Sequence, residues 1–255
     1  GQGLAVVVET NGHSLLYDSA AQYSSAFSAG SGIIAPYLWQ RGWSAIDKTI
    51  ISHEDGDHSG GFVGLQQVLP SRQIITGPGV DYAPQILDGQ AVDICSAGTQ
   101  WRWDNVHFKI LAPTLAVEQG ASRGGNNSSC VLHIRWRDFE VLLPGDIEST
   151  AEYQLLDSGS LGNSQSLELL VVPHHGSKTS STRRFVQKLR PKQVVFSAGY
   201  QHQFGHPHPS VSKRYTAVGS GIWNTAEQGA ITFEWLLSGE LNISAARRET
   251  QRWWR

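Results

Sequence analysis

The stretch Ser52-His53-Glu54-Asp55-Gly56-Asp57-His58-Ser59-Gly60-Gly61 decides how this chain is read. It follows the apolar run Thr49-Ile50-Ile51, which reads as a short buried strand. It precedes Phe62, Val63, Leu65, Val68 and Leu69, whose spacing is helical. His53 and Asp55 alternate on one side of an extended segment, and Asp57-His58 stand at the helix entrance. Aspartate and neutral histidine are the hard and borderline ligands that divalent cations prefer. A solvated turn with Asp57 as helix cap would need one carboxylate, not two aspartates and two histidines within six positions. The stretch therefore reads as metal-binding.

The 255 residues suffice for one large domain or two small ones. At 40% hydrophobic and 16% charged residues the composition is that of a globular chain, which excludes a disordered one. The net charge of −2 excludes a global basic field, so any contact with DNA is expected to be local or metal-mediated. Cys95 and Cys130 lie in apolar surroundings without metal-site spacing and are expected as buried free thiols, leaving the redox compartment open. No apolar run is long enough to span a bilayer, and no signal peptide is read. The absence of methionine and the opening Gly1-Gln2-Gly3-Leu4 suggest a domain excised from a longer protein.

Along the chain, 4–10 and 13–18 around Asn11-Gly12 predict a hairpin whose second strand ends at Asp18. A helix over 33–41 stops at Gly42, and Ile74-Ile75 is a strand. Residues 77–99 read as loop-rich. Further hairpins are expected at 101–111 and 130–143, the latter running into Pro144-Gly145-Asp146. Helices over 149–156, 182–189 and 210–218, strands at 167–172 and 194–196, and paired strands around 222–235 complete the reading. Hairpins alternating with isolated helices predict an α/β layered fold with mixed sheets. Three strand ends deliver Asp or His: after Ile51, after Leu143 (Asp146) and after Val172 (His174-His175).

The order Asp18, His53-x-Asp55-x-Asp57-His58, Gly145-Asp146 and His175 resembles the metallo-β-lactamase superfamily, which implies a four-layer αββα sandwich with two metals at the sheet edges. More narrowly, Gly1-Gln2-Gly3, Asn126-Asn127-x-Ser129, Pro173-His174-His175-Gly176-Ser177 and Gly205-His206-Pro207-His208-Pro209 resemble the C-terminal domain of the ComEC family, bacterial competence proteins that internalise DNA. Two departures matter. Asp55 stands where the superfamily has His, and the third His before the bridging Asp is missing, with Asn126 and Asn127 in that loop instead. His107 and His133, the histidines between His58 and Asp146, are expected to be core or face residues. Oxygen donors in place of imidazoles shift the preference from zinc toward manganese or magnesium. Two divalent ions are expected, manganese before zinc, with occupancy of the second site open.

The resemblance implies that His53 and Asp55 hold one metal, that Asp57, His58 and His175 hold the other, and that Asp146 bridges both. Taken alone, Asp146 also fits an ordinary strand-end turn. Asp18 is expected to orient a ligand histidine, since metal-bound imidazoles take a partner on the other nitrogen. Asn126 and Asn127 are expected around the ligands. Two metals would activate a water for in-line attack on a phosphoryl centre, with His206 as first candidate acid and His174 as second. Ser177, Lys178, Thr179 and Ser180 suit phosphate oxygens, or else precede a helix capped by Ser181 or Thr182. Glu148 would meet substrate or complement a helix dipole. The basic run 183–192 reads as a DNA-tracking face or plain solvated charge.

Residues 1–246 are thus expected to form the domain. Residues 247–255 form a basic, aromatic tail that could meet a membrane surface or single-stranded bases. The implied function is a nuclease degrading the non-imported DNA strand. Its implied partners are DNA, the transmembrane channel portion of the same polypeptide and other competence proteins. The implied location is the extracytoplasmic side of an inner-membrane protein. The alternatives are another ester substrate (phosphocholine ester, lactone or thioester) or a non-catalytic DNA-binding or scaffold domain.

Overall fold

A computed structural model describes residues 2–87, 89–114, 124–162 and 167–249. The Asn11-Gly12 hairpin pairs β1 (Val6–Glu9) with β2 (Ser14–Tyr17), and β3 (Gln22–Ser24) with β4 (Phe27–Ser28) makes a small hairpin beyond it. β5 (Lys48–Ile51), β6 (Ile74–Thr76) and β7 (Val92–Ile94) then add in parallel, giving a five-stranded sheet in the order β1-β2-β5-β6-β7. β8 (Gln100–Trp103), β9 (Val106–Ala112), β10 (Val131–Trp136) and β11 (Phe139–Leu143) run antiparallel. β12 (Leu169–Val171), β13 (Gln193–Phe196) and β14 (Gly221–Asn224) extend that sheet in parallel to seven strands. β15 (Ile231–Trp235) and β16 (Leu241–Ala245) pair with each other.

The apolar patterning sorts these elements into layers. Leu15, Tyr17, Ile50, Phe108, Ile110, Leu132 and Leu143 fill the space between the two sheets. The outer face of the first sheet is covered by a π-turn at Gly30–Ile34 running into helix Ala35–Gln40, and by helix Phe62–Val68, around Leu16, Leu38 and Leu65. Helices Ser149–Asp157, Arg183–Leu189 and Pro209–Ala217 cover the second around Leu142, Leu170, Phe185 and Val194. The architecture is the expected four-layer αββα sandwich with mixed sheets. Each fully buried Leu, Ile or Phe adds about 1.5–3 kcal/mol, so the inter-sheet layer fixes the two rims against one another. Among the described residues no helix is long and apolar enough to cross a membrane.

Four expectations are corrected. Cys95 and Cys130 are not free thiols: they form a disulfide, Cα–Cα 5.9 Å, because the edge of the first sheet packs on the start of β10. The segment 77–99 holds helix Pro84–Leu87 and strand β7, too short and too exposed to leave a clear apolar period. The strands around 222–235 do not pair mutually; β14 joins β13 and β15 joins β16. The helix expected from Ile33 starts at Gly30, where Ser28 Oγ accepts the Ser31 N–H at 3.1 Å. The helix at 183–189 is capped by Thr182, whose hydroxyl accepts from Phe185 N at 3.2 Å. Residue 1 of the Gly1-Gln2-Gly3 motif, residues 115–123 of the Gly-rich loop, and residues 250–255 of the basic, aromatic tail lie outside the described residues.

Candidate metal centre

Parallel strands put their carboxyl ends on one rim, and crossovers there leave the side chains that follow each strand facing a common crevice. β2 delivers Asp18, β5 delivers Ser52 and His53, β11 delivers Asp146, β12 delivers His174 and His175, and β13 delivers Ser197. Positive φ at Asp18 (59°), His174 (51°) and His175 (53°) turns the chain sharply at these ends, a backbone strain typical of functional turns.

The hydrogen bonds fix where the imidazole protons sit. Asp18 is fully buried; it accepts from Ser52 N at 2.6 Å, Ser52 Oγ at 2.8 Å and His58 Nδ1 at 2.8 Å. His58 therefore donates through Nδ1 and presents a bare Nε2. Since the Ser52 hydroxyl proton goes to Asp18, Ser52 Oγ accepts from His53 Nδ1 at 3.0 Å. The Nε2 of His53 is left buried without a hydrogen-bond partner. His175 donates Nδ1 to the Ser197 carbonyl at 2.7 Å, again freeing Nε2. The Nε2 atoms of His58 and His175 face each other at 3.1 Å. Two lone pairs at that distance repel unless a proton or cation lies between them.

Carboxylates complete the set. Asp146 Oδ1 is 3.2 Å from His58 Nε2, and its Oδ2 is 3.5 Å from His175 Nε2. Asp57 Oδ2 is 3.1 Å from His175 Nε2. Burial works against charge on both imidazoles, yet Asp146 and Asp18 raise the pKa of His58 well above the ordinary histidine value, and Asp146 with Asp57 raises that of His175. Burial likewise opposes ionisation of Asp146, but His58 and His175 hold it well below the carboxylate range. A field that raises imidazole pKa values at their bare nitrogens attracts cations to the same point.

Among the described residues, two groups of donor atoms could hold a metal: His53, His58 and Asp146, and Asp57, His58 and His175. The orphaned Nε2 of His53 and the mixed imidazole–carboxylate donors fit divalent ions. The second group holds Asp57, His58 and His175 without Asp146, the residue expected to bridge both metals, which falls in the first group alone. The first differs: His58 takes the place expected for Asp55. Asp55 occupies the cap position of the short helix Gly56–Ser59, with its half-exposed carboxylate 3.6 Å from His53 Nε2.

The loop residues divide. Asn127 Oδ1 accepts from Glu148 N at 3.0 Å and Ala151 N at 3.4 Å, so it secures the start of helix Ser149–Asp157 rather than meeting a metal. Asn126 acts through its carbonyl, which accepts from Ser129 Oγ at 2.7 Å, and Ser129 Oγ in turn accepts from Asp146 N at 3.1 Å. His174 Nδ1 lies 3.3 Å from Glu148 Oε1 and 3.2 Å from Thr179 Oγ1. His206 stacks on His175 at 6.3 Å. Burial first, then His175 and His174, push the His206 pKa down to about 4, so it is neutral at pH 7. Ser180 does not face substrate: its buried hydroxyl donates to Pro173 and Ser177 carbonyls. Ser177 is also buried and bonded to Thr179 Oγ1 at 3.0 Å, while Lys178 stands exposed.

Sequence reading missed Ser52, the Ser197 carbonyl and Glu54, which accepts from Gly125 N at 2.6 Å and ties the motif to the loop before β10. It also missed the work of the N-terminal motif. Gln2 Oε1 accepts from Gly199 N, Gly3 O accepts from Ser197 Oγ, and Leu4 N donates to the Asp57 carbonyl. A Cβ on Gly3 would lie 2.9 Å from that carbonyl, which explains glycine there. His107 and His133 are sheet-face residues, His133 pairing with Glu140 at 2.9 Å.

The family model described as Metallo-beta-lactamase superfamily matches residues 1–200. Among curated proteins, "Recombination protein 2" of Haemophilus influenzae is 33% identical over 254 residues, covering 100% of this chain and 30% of that protein. "Competence protein ComA" of Neisseria gonorrhoeae is 33% identical over 233 residues, 91% of this chain and 31% of that one. "ComE operon protein 3" of Bacillus subtilis is 27% identical over 240 residues, 90% and 30%. The chain thus spans about a third of the length of the curated relatives it matches. Among solved structures, a putative metal-dependent hydrolase from Parabacteroides distasonis aligns at TM-score 0.52 and 12% identity, covering 87% of this chain and 89% of that one. CmlA, a diiron beta-hydroxylase from Streptomyces venezuelae, aligns at 0.56 and 15%, covering 86% and 51%. At these identities the likeness shows the fold.

Proposed function

The chain belongs to the metallo-β-lactamase superfamily, and on that premise we propose that it is a metal-dependent phosphodiesterase that cleaves DNA during uptake, degrading the strand that is not imported. The observation that carries the reading is the convergence of three bare Nε2 atoms on Asp146 and Asp57 at one rim. The names of the relatives, a recombination protein and a competence protein, support DNA as the substrate.

His53, His58 and Asp146 would hold one ion and Asp57, His58 and His175 the other, with Asp55 at the mouth. Two divalent cations would supply Lewis-acid charge for a phosphoryl centre and lower the pKa of water there. With Asp55 counted, the set offers three carboxylates beside three imidazoles, and those oxygen donors favour manganese over zinc. Asp18 and the Ser197 carbonyl keep the ligand imidazoles in their Nε2-presenting tautomers. His174, braced at Nδ1 by the Glu148 carboxylate, is placed to hand a proton to the leaving oxygen. Lys178 and Thr179 flank it for non-bridging oxygens.

The proposal includes an extracytoplasmic position beside a membrane channel of the same polypeptide and other competence proteins. The Cys95–Cys130 disulfide supports it, because such bonds persist in oxidising compartments. Linear DNA with manganese should be hydrolysed by the wild type and not by Asp57→Ala or Asp146→Ala; equal activity in those variants would dismiss the reading. A panel of bis-p-nitrophenyl phosphate, nitrocefin and a lactone separates phosphodiester chemistry from the other hydrolyses of this fold.

A further inference from the structure

The sheet that carries Asp146 has an outer face that the proposed chemistry does not use. Over β11 to β13 this face is apolar and covered by helices, through Leu142, Leu170 and Val194. Over β8 to β10 it changes character. Strand register puts Arg102, His107 and Arg135 in one cross-strand row and Gln100, Lys109 and His133 in the next. Alternation turns them all outward, because the intervening Phe108, Ile110 and Ile134 belong to the core between the sheets. Arg137 follows at the hairpin turn. With the Ser160–Gly162 loop as one wall, these residues line an open groove of about 1070 Å³.

The charge of this groove is one-sided. Among the described residues, the Lys and Arg ion pairs are made by Arg41, Arg72, Arg184 and Lys192; Arg102, Lys109, Arg135 and Arg137 make none. Arg102 donates to Asn105 Oδ1 at 2.6 Å, and Arg137 donates to the Leu237 carbonyl at 2.8 Å while lying over the Trp136 ring. The groove's two carboxylates are Asp138, at the turn, and Glu140, which faces His133. Four permanent cations thus share one strip of a chain whose net charge is −2. The outer side of an antiparallel sheet is ordinarily polar, but mixed in sign. Spacings of about 4.8 Å between strands and about 6.8 Å between alternate residues make an extended lattice of donors. Such a lattice suits a repeating anion, and its outward rows are donors rather than the apolar anchors at the centre of a protein interface.

We propose that this groove binds the phosphate backbone of a nucleic-acid strand, at a second site separate from the metal rim. The two sites lie at opposite ends of β10 and β11: Trp136–Phe139 closes the groove end, and Asp146 follows the other end of β11. The proposal rests on the reading of DNA as substrate and adds a contact that would hold a strand while the rim acts on it.

The test uses the full chain in chelator, so that cleavage cannot intervene, with a fluorescent single-stranded oligonucleotide titrated at several salt concentrations. The Arg102→Glu/Arg135→Glu variant should bind more weakly, with its log Kd against log[salt] slope flatter by about 1.4, the share of two single-strand phosphate contacts. Arg102→Gln/Arg135→Gln serves where charge reversal disturbs folding, and Arg102→Lys/Arg135→Lys should keep the binding. Hydrolysis of bis-p-nitrophenyl phosphate with manganese should be unchanged in all three. An unchanged slope, no binding by the wild type, or equal competition by polyglutamate each overturns the proposal. Groove-dependent binding without cleavage under any metal would leave this site standing and remove the phosphodiesterase reading. Cleavage with an unchanged slope would do the reverse.

Discussion

The two ends of β10 and β11 treat charge in opposite ways. At the rim, Asp18, His58, Asp146 and His175 are buried, and each is engaged by a named neighbour. At the groove, Arg102, Lys109, Arg135 and Arg137 line an open surface that also holds Asp138 and Glu140, and among the described residues none of the four makes an ion pair. Taking an ion out of water costs several kcal/mol unless geometry repays it, so the rim is tolerable only as a complete set. Exposed cations cost the fold little, and their placement is free to follow what they meet. The rim should therefore be brittle and the groove forgiving.

The largest effect should come from opening the set at its centre. Asp146→Ala removes the carboxylate shared between His58 and His175, and hydrolysis with bound-metal content should fall by more than the roughly 10–100-fold typical of a partner outside the ligands. Metal analysis after dialysis alongside rate measurement checks it; full metal content in the variant would contradict the shared role. Asp18→Asn should fall within that 10–100-fold range. An amide keeps the shape but offers one oxygen where the carboxylate serves Ser52 N, Ser52 Oγ and His58 Nδ1, so the tautomers of both His53 and His58 lose their anchor.

Next comes the disulfide beneath the rim. The Cys130 carbonyl accepts from Tyr17 Oη at 2.5 Å, and its N–H donates to the Ser52 carbonyl at 3.0 Å, so the bond braces the floor under His53. Closing a loop of sequence separation 35 predicts that Cys95→Ser/Cys130→Ser loses about 3–4 kcal/mol in urea unfolding. A loss below that range would mean that Tyr17 and the sheets alone hold the floor.

That disulfide marks the border of what the sequence makes legible. The fold and His53, Asp57, His58, Asp146 and His175 stand out because each follows an apolar run, and a strand end next to Asp or His is a local pattern. Asp18 is visible for the same reason, as is Thr182 as a cap. The partners that give these residues meaning are another matter. The Ser197 carbonyl that orients His175 is backbone, identical at every position. Ser52 matters through the direction in which its hydroxyl proton points. Cys95 and Cys130 meet because β7, a strand of three half-exposed residues, sits at the sheet edge, and no local pattern announces that. Asp55 shows the limit of spacing: it stands 3.6 Å from His53 Nε2, as a ligand would, yet its carboxylate is half-exposed at a helix start. The groove escaped for a related reason: Arg102, Lys109 and Arg135 lie on three strands, and only register makes them neighbours.

The smallest effects test the forgiving side. Arg135→Ala should leave unfolding free energy within about ±0.5 kcal/mol, since no ion pair is lost. Asp104 is the exception that sharpens the contrast, an exposed carboxylate that is nonetheless engaged. It sits in the β8–β9 turn, where both Asp104 and Asn105 have positive φ, and it reaches across to the β1–β2 turn. There it accepts from Thr10 Oγ1 at 2.6 Å and Gly12 N at 2.9 Å, with His13 Nδ1 at 3.0 Å. His13, Thr10 and Gly12 lower its pKa from the ordinary 3.8 to about 2. A depressed carboxylate pKa means that the unfolded chain binds the proton more readily, so this contribution is fully present above about pH 4 and drains away as the pH falls toward 2. The stability gap between wild type and Asp104→Asn should therefore be flat from neutral pH down to about 4 and close below it. Solvent exposure keeps the gap small, and a gap that instead widened with acid would show that Asp104 is not held ionised by the Thr10–His13 turn.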